Sequence, residues 1–189
     1  ADHTVIFDRI EAGTYAIAAI ITRGEIVLKD IDHSFFENIS NVISGVGGKF
    51  SRINHNSVKV SSEDFSSKID LMTSAYPGFP TDMQAQIMTL LSVSSGLSTI
   101  TESIFENRFM HVPELNRMGA DIKIKDGIAN IRGVPHFSGA EVMATDLRAS
   151  VCLVLAALIA NNKTIINRIY HLDRGYENIE KKLKLCMAS

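Results

Sequence analysis

The sequence predicts a mixed α/β (α+β) fold built from a repeated β-α-β-α-β-β unit. Three observations carry this reading. Asp8, Asp82 and Asp146 each head a helical stretch rich in Ala, Ile, Leu and Met. Each stretch ends in a turn-forming step, then passes through a short β-like run into a second helical stretch. In the first two units a glycine step and a strand pair follow.

In chain order, the first helices are expected over 10–21, 83–93 and 147–159. Aspartate suits their starts, because its carboxylate accepts N–H groups that a first turn leaves unpaired. Arg23-Gly24, Ser95-Gly96 and Asn161-Asn162 suit their ends. The β-like runs are 25–28, 98–101 and 163–166, and the second helices 36–44, 112–118 and 176–185. Gly47-Gly48 and Gly119-Ala120 precede strand pairs 49–53 with 57–60 and 121–125 with 128–131. The turns at 54–56 and at Asp126-Gly127 suit hairpins. Runs 69–72 and 141–144 supply a strand before the second and third aspartates. The units are about 1–62, 63–133 and 134–189, forming a single domain, and the third stops where the first two have their glycine and strand pair. A repeated scaffold with no site and a repeated scaffold bearing one fit this pattern equally.

Composition bounds the function. The chain has 189 residues, 46% hydrophobic and 21% charged, which is ordinary for a folded domain. At this length roughly 70% of the unfolded surface can be buried. A net charge of −2 argues against nucleic-acid or membrane-surface binding, which usually needs a basic face. The longest apolar run, 151–160, is about half a membrane span. The N-terminal residues lack the pattern of a signal peptide. With Cys152 and Cys186 as the only cysteines there is no disulfide framework, and a reducing cytoplasm is expected. Cys152 falls inside the 151–160 run and should be buried and unreactive.

Candidate chemistry centres on a few charges. Arg108 lies between apolar neighbours in FENRF at 105–109, Arg148 follows Asp146 by two residues, and Arg174 precedes the last helix. Each has two readings: an ion pair with a nearby carboxylate, or part of an anion site at a helix end. Three together shift the balance toward a phosphate or carboxylate site. Asp82 enters its helix from a Pro/Gly-shaped loop, where it is either a cap or a base able to take a hydroxyl proton. The six histidines show no zinc spacing, and Gly45-Val-Gly-Gly48 lacks the Lys-Ser/Thr of a P-loop. No metal and no cofactor are expected.

Four segments then carry a resemblance: FPTDMQAQ at 79–86, TESIFENRFMHVPELNRMGA at 101–120, DLRAS at 146–150 and RIYHLDRGYE at 168–177. With DRIEAGTY at 8–15, they closely resemble the UDP-N-acetylglucosamine branch of the enolpyruvyl transferase family. The resemblance covers nearly the whole chain. It implies an inside-out α/β barrel of three β-α-β-α-β-β units, the third truncated, from the second domain of a two-domain enzyme. It also implies transfer of enolpyruvyl from phosphoenolpyruvate to the sugar 3-hydroxyl with release of phosphate, the first committed step of peptidoglycan synthesis. Asp82 would be the base, and Ile104 would touch the UDP-sugar through its backbone. Arg174 would hold the phosphoenolpyruvate carboxylate, while Asp146, Arg148 and Arg108 would line the interdomain cleft. The first domain, with the family's acid cysteine, its lysine and most uridine contacts, is absent from this sequence, so the chain alone should be inactive. Lys184-Leu-Cys-Met-Ala-Ser189 departs from the family's Leu-Gly-Ala type of turn. Two other readings stay open: the sister 3-phosphoshikimate enzyme, against which NRFMHVPE at 107–114 and HLDRGY at 171–176 speak, and a catalytically silent domain.

Overall fold

Three apolar helices form the centre of the molecule, a computed structural model that describes residues 1–62 and 68–187. They are α1 (Arg9–Ile21), α3 (Gln84–Leu91) and α5 (Val151–Ile159), and each packs on the other two. Their sequences are apolar on nearly every side; all eight residues of α3 are buried, while Val154 and residues 157–159 of α5 stay partly exposed. Together with neighbouring strands and loops they make one continuous core.

Sheets lie around this centre. Strands β1 (Glu25–Lys29), β2 (Gly48–Asn54) and β3 (Ser57–Ser62) form an antiparallel sheet in the order β1-β3-β2. Strands β4 (Asp70–Met72), β5 (Leu97–Thr101), β6 (Asp121–Lys125) and β7 (Ile128–Arg132) form a second, ordered β4-β5-β7-β6, with β4 parallel to β5 and the rest antiparallel. Strands β8 (Glu141–Met143) and β9 (Ile165–Asn167) pair in parallel. Thus β5-β7-β6 repeats the pairing of β1-β3-β2, and β8-β9 repeats that of β4-β5. Helices α2 (His33–Gly45) and α4 (Val112–Arg117) pack beside β2 and β6, and α6 (Tyr170–Asp173) and α7 (Ile179–Met187) end the described chain. Asp126 and Gly127 both have positive φ, the geometry that the β6–β7 hairpin turn requires.

The expected element types and order are found, with α6 in addition and four shifts at helix starts; α2 begins at His33 rather than 36, where the Asp32 carboxylate accepts the Ser34 N–H. Residues 147–150 form a turn, and α5 begins only at Val151. In that turn the Asp146 carboxylate accepts the N–H groups of Arg148 (2.8 Å) and Ala149 (2.5 Å), while the Ser150 hydroxyl accepts those of Thr145 and Asp146. Asp146 therefore caps a turn, and the continuous α-helix begins only after it. The last helix starts at Ile179 rather than 176, because Tyr176 is drawn into the core and Asn178 takes a positive φ. The 83–93 helix opens with a 3-10 turn at Thr81–Met83 and stops at Leu91, where the hydroxyls of Ser92 and Ser94 bond back to the carbonyls of Met88 and Leu90. The expected boundary between the first two units, and the chain end at Ala188 and Ser189, lie outside the described residues.

Candidate active site

Asp82 is no helix cap. The 3-10 turn that carries it is preceded by Pro80, and its side chain makes no cap bond. The carboxylate turns instead to Arg108, whose Nη2 donates to Oδ1 at 2.7 Å. Oδ2 has no hydrogen bond to any described residue. Arg108 is held in place by its own surroundings: its side chain is 19% exposed, and the guanidinium lies 5.1 Å from the Phe105 ring centre.

Asp82 lines a cleft of about 490 Å³ together with Ile104, Arg148, Asp8, Ile6, Tyr76 and Thr81 among others. The cleft lies at the entrances of α1 and α3, so two helix starts face it. Asp8 caps α1: its Oδ1 accepts the N–H groups of Ile10 (2.8 Å) and Glu11 (3.1 Å). Its Oδ2 accepts from Arg148 Nη2 at 2.8 Å. Burial works to raise the Asp8 carboxyl, but the bond and charge of Arg148 and the two helix N–H groups outweigh it and hold the group below its usual range. Arg148 mirrors this. Burial disfavours its charge, and Asp8 more than restores it.

Arg148 also reaches the other predicted arginine through the backbone. Its Nη1 donates to the Gly175 carbonyl at 3.0 Å, and its guanidinium lies 5.4 Å from the Tyr176 ring centre. A methyl on Gly175 would collide with the Leu147 carbonyl, so glycine permits this close approach. Arg174 itself is exposed, lines none of the cleft, and makes no side-chain hydrogen bond or ion pair to the described residues. Asp146 is also outside the cleft lining, its Oδ1 spent on the 147–150 turn.

Beneath the cleft runs a buried polar chain that sequence reasoning missed. The Tyr176 hydroxyl sits 3.0 Å from Thr14 Oγ1 and accepts from Gln86 Nε2 at 3.1 Å. The same Gln86 nitrogen donates to the Asp82 carbonyl at 2.8 Å. Burial, the largest influence, pushes the Tyr176 hydroxyl up, and it stays neutral. The chain ties the α1 and α3 helices, the 174–176 segment and the Asp82 backbone together. A Gln among the apolar residues of α3 was its only sequence signal.

His111 is 1% exposed, and neither ring nitrogen has a hydrogen-bond partner among the described residues. Burial lowers it to about 4, with Asp146 opposing and Arg108 adding to the effect. It is a buried, neutral residue. Cys152 is fully buried in α5, and burial drives its thiol upward, away from the reactive thiolate. Among the described residues no cluster of His, Cys, Asp and Glu is arranged for a metal, and no helix is long and apolar enough to cross a membrane.

Comparisons with known proteins agree with this architecture. The chain is 55% identical over 188 residues to UDP-N-acetylglucosamine 1-carboxyvinyltransferase of Rickettsia felis, covering all of this chain and 45% of that protein. The enzyme of the same name from Rickettsia prowazekii is also 55% identical, over 99% of this chain and 44% of its own length. The chain thus spans less than half the length of these relatives. Among solved structures, the enolpyruvyl transferase NikO from Streptomyces tendae superposes with a TM-score of 0.86 at 25% identity, over 97% of this chain and 43% of that one. EPSP synthase from Acinetobacter baumannii shares the fold, with a TM-score of 0.66 at 16% identity over 88% of this chain and 40% of its own. The family model described as EPSP synthase (3-phosphoshikimate 1-carboxyvinyltransferase) matches residues 1–183, and the chain belongs to that family.

Proposed function

We propose that this chain is one domain of an enzyme that transfers enolpyruvyl from phosphoenolpyruvate to the 3-hydroxyl of UDP-N-acetylglucosamine, releasing phosphate, in peptidoglycan synthesis. The observation that carries the reading is the Asp82 carboxylate: one oxygen is fixed by Arg108, and the other is unspent in a cleft beside Arg148 and Ile104. The 55% identity to relatives bearing that name supports the sugar nucleotide over 3-phosphoshikimate. The alternation of pairing among the three sheets supports an inside-out barrel of three β-α-β-α-β-β units, at about 1–62, 63–133 and 134–189.

The chemistry follows from what these groups can do. Asp82 accepts the proton of the sugar hydroxyl as its oxygen bonds to C2 of phosphoenolpyruvate. An acid supplied by the other domain protonates C3. Loss of a C3 proton then breaks the C2–phosphate bond, leaving the enolpyruvyl ether and free phosphate. Arg108 keeps Asp82 aimed. Arg148 and Arg174 present positive charge to the phosphate and carboxylate, Arg174 moving in as the domains close. Ile104 touches the sugar nucleotide through its backbone, and Asp146 shapes the segment that carries Arg148. No cofactor, metal, nucleic acid or membrane enters the scheme. The substrates are charged and soluble, which suits a cytoplasmic enzyme.

The test supplies the missing N-terminal half. This chain alone should release no phosphate from phosphoenolpyruvate. Joined to the N-terminal half of the Rickettsia felis relative, it should do so with UDP-N-acetylglucosamine. Turnover only with 3-phosphoshikimate, or none with either acceptor, would overturn the reading.

A further inference from the structure

Glu102 is not among the sequence candidates, yet it touches more of the cleft's framework than any of them. It is the residue that follows β5. Its Oε1 accepts the N–H of Ile104 at 2.9 Å, the N–H of Phe105 at 3.2 Å and the hydroxyl of Thr73 at 2.9 Å. Its Oε2 accepts the hydroxyl of Thr81, the residue before Asp82, at 2.9 Å. Thr73 in turn takes the N–H of Ser103 at 3.0 Å on its hydroxyl and the Ser103 hydroxyl at 2.5 Å on its carbonyl.

One carboxylate therefore joins both walls of the cleft. Oε1 folds the 103–105 loop, and Oε2 holds the turn that carries Asp82. Only a group with two acceptor oxygens on one rigid plane can do both. The Ile104 N–H is already spent on Glu102.

We propose that Glu102 is a positioning residue that sets the spacing between the 103–105 loop and the turn that carries Asp82. The proposal rests on the function given above for its kinetic part. Its structural part stands apart from that reading.

The experiment has two arms. In the 189-residue chain, amide exchange by NMR follows Ile104 and Phe105 in Glu102→Gln, which keeps the shape but replaces one acceptor by a donor. Exchange at both amides should quicken at least tenfold in this variant, or the Thr81 link should fail and shift the Asp82 signals. Should Glu102→Gln not fold, Thr73→Val and Thr81→Val each remove one contact and answer the same question. Unchanged Ile104, Phe105 and Asp82 signals in all folded variants would overturn the positioning role, whatever the protein's reaction. In the protein joined to the N-terminal half, the two threonines should split the kinetics. Thr73→Val should raise KM for the sugar nucleotide with kcat nearly kept. Thr81→Val should lower kcat, by up to about 10²-fold for an ångström of misplacement, with KM nearly kept. Equal effects of the two on kcat and KM would mean that Glu102 serves stability only.

Discussion

Asp8 and Asp82 both stand where an apolar helix begins, both bond an arginine from a distant segment, and both line the same cleft. They differ in how their oxygens are used. Asp8 spends Oδ1 on two helix N–H groups and Oδ2 on Arg148. Asp82 gives Oδ1 to Arg108, caps nothing, and keeps Oδ2 unspent. A carboxylate with both oxygens engaged has less capacity left to take a proton from a ligand. An unsaturated one held by a single cation has that capacity and a fixed direction. Under the proposed function this difference separates a structural Asp8 from a base at Asp82; in the sequence only the Pro/Gly loop before Asp82 sets the two apart.

The sharpest way to break this contrast is Asp82→Asn in the protein joined to its N-terminal half. Turnover should fall by about 10²–10⁴-fold, the usual loss of a general base. Stability should change by less than about 1 kcal/mol, since the Asp82–Arg108 pair is partly exposed and such pairs contribute little. Near-normal turnover would leave Asp82 as a partner of Arg108 only.

The buried His111 should make stability depend on pH. His111 is lowered to about 4 in the folded chain, against about 6.5 when unfolded. Between these values the unfolded state binds the proton and the folded state does not. Stability is therefore full above about pH 6.5, falls as the pH drops, and has lost this contribution near pH 4, on the order of 3 kcal/mol in all. Denaturant unfolding of the native chain and of His111→Asn at pH 7 and pH 4.5 should show a steeper loss in the native chain. Parallel losses would contradict a buried neutral imidazole.

On the structural side of the contrast, Asp8→Ala should cost about 1–2 kcal/mol, combining a lost cap with an arginine left partly buried and unpaired. Asp8→Asn should recover the cap but not the ion pair. Because the Asp8 carboxyl is held below its ordinary range, its contribution is present above about pH 4 and fades as the pH falls through the folded value. Thermal melts of the three proteins at pH 7 check the order native, Asn, Ala.

The smallest effect concerns the chain beneath both residues. Tyr176→Phe removes the hydroxyl that meets Thr14 and Gln86 and leaves the ring beside Arg148. It should cost about 1 kcal/mol. A melt unchanged from the native chain would show that the buried bonds are not net stabilising.

Local order was legible and long-range pairing was not. The apolar runs, glycine steps and hairpin turns revealed nearly every element, because helix and strand periods act within a few residues. The Asp82–Arg108 and Asp8–Arg148 pairs span 26 and 140 residues and exist only once loops have folded back. Gln86 and Tyr176 read as ordinary polar and aromatic positions, since nothing nearby reveals that their partners are each other. Asp146 accepts the N–H groups two and three residues on, as a cap does, yet a turn over 147–150 precedes α5, a detail that helix propensity alone does not weigh. Arg108, Arg148 and Arg174 were grouped as cations; two are paired with carboxylates, and Arg174 alone extends into solvent.

The most direct test of the contrast is a structure of the protein joined to its N-terminal half, with UDP-N-acetylglucosamine bound. The account predicts the sugar 3-hydroxyl within hydrogen-bond reach of Asp82 Oδ2, about 2.6–3.2 Å, with Asp8 still holding Arg148 and the α1 N–H groups. A sugar hydroxyl bonded to Asp8, or beyond reach of Asp82 with the domains closed, would contradict it.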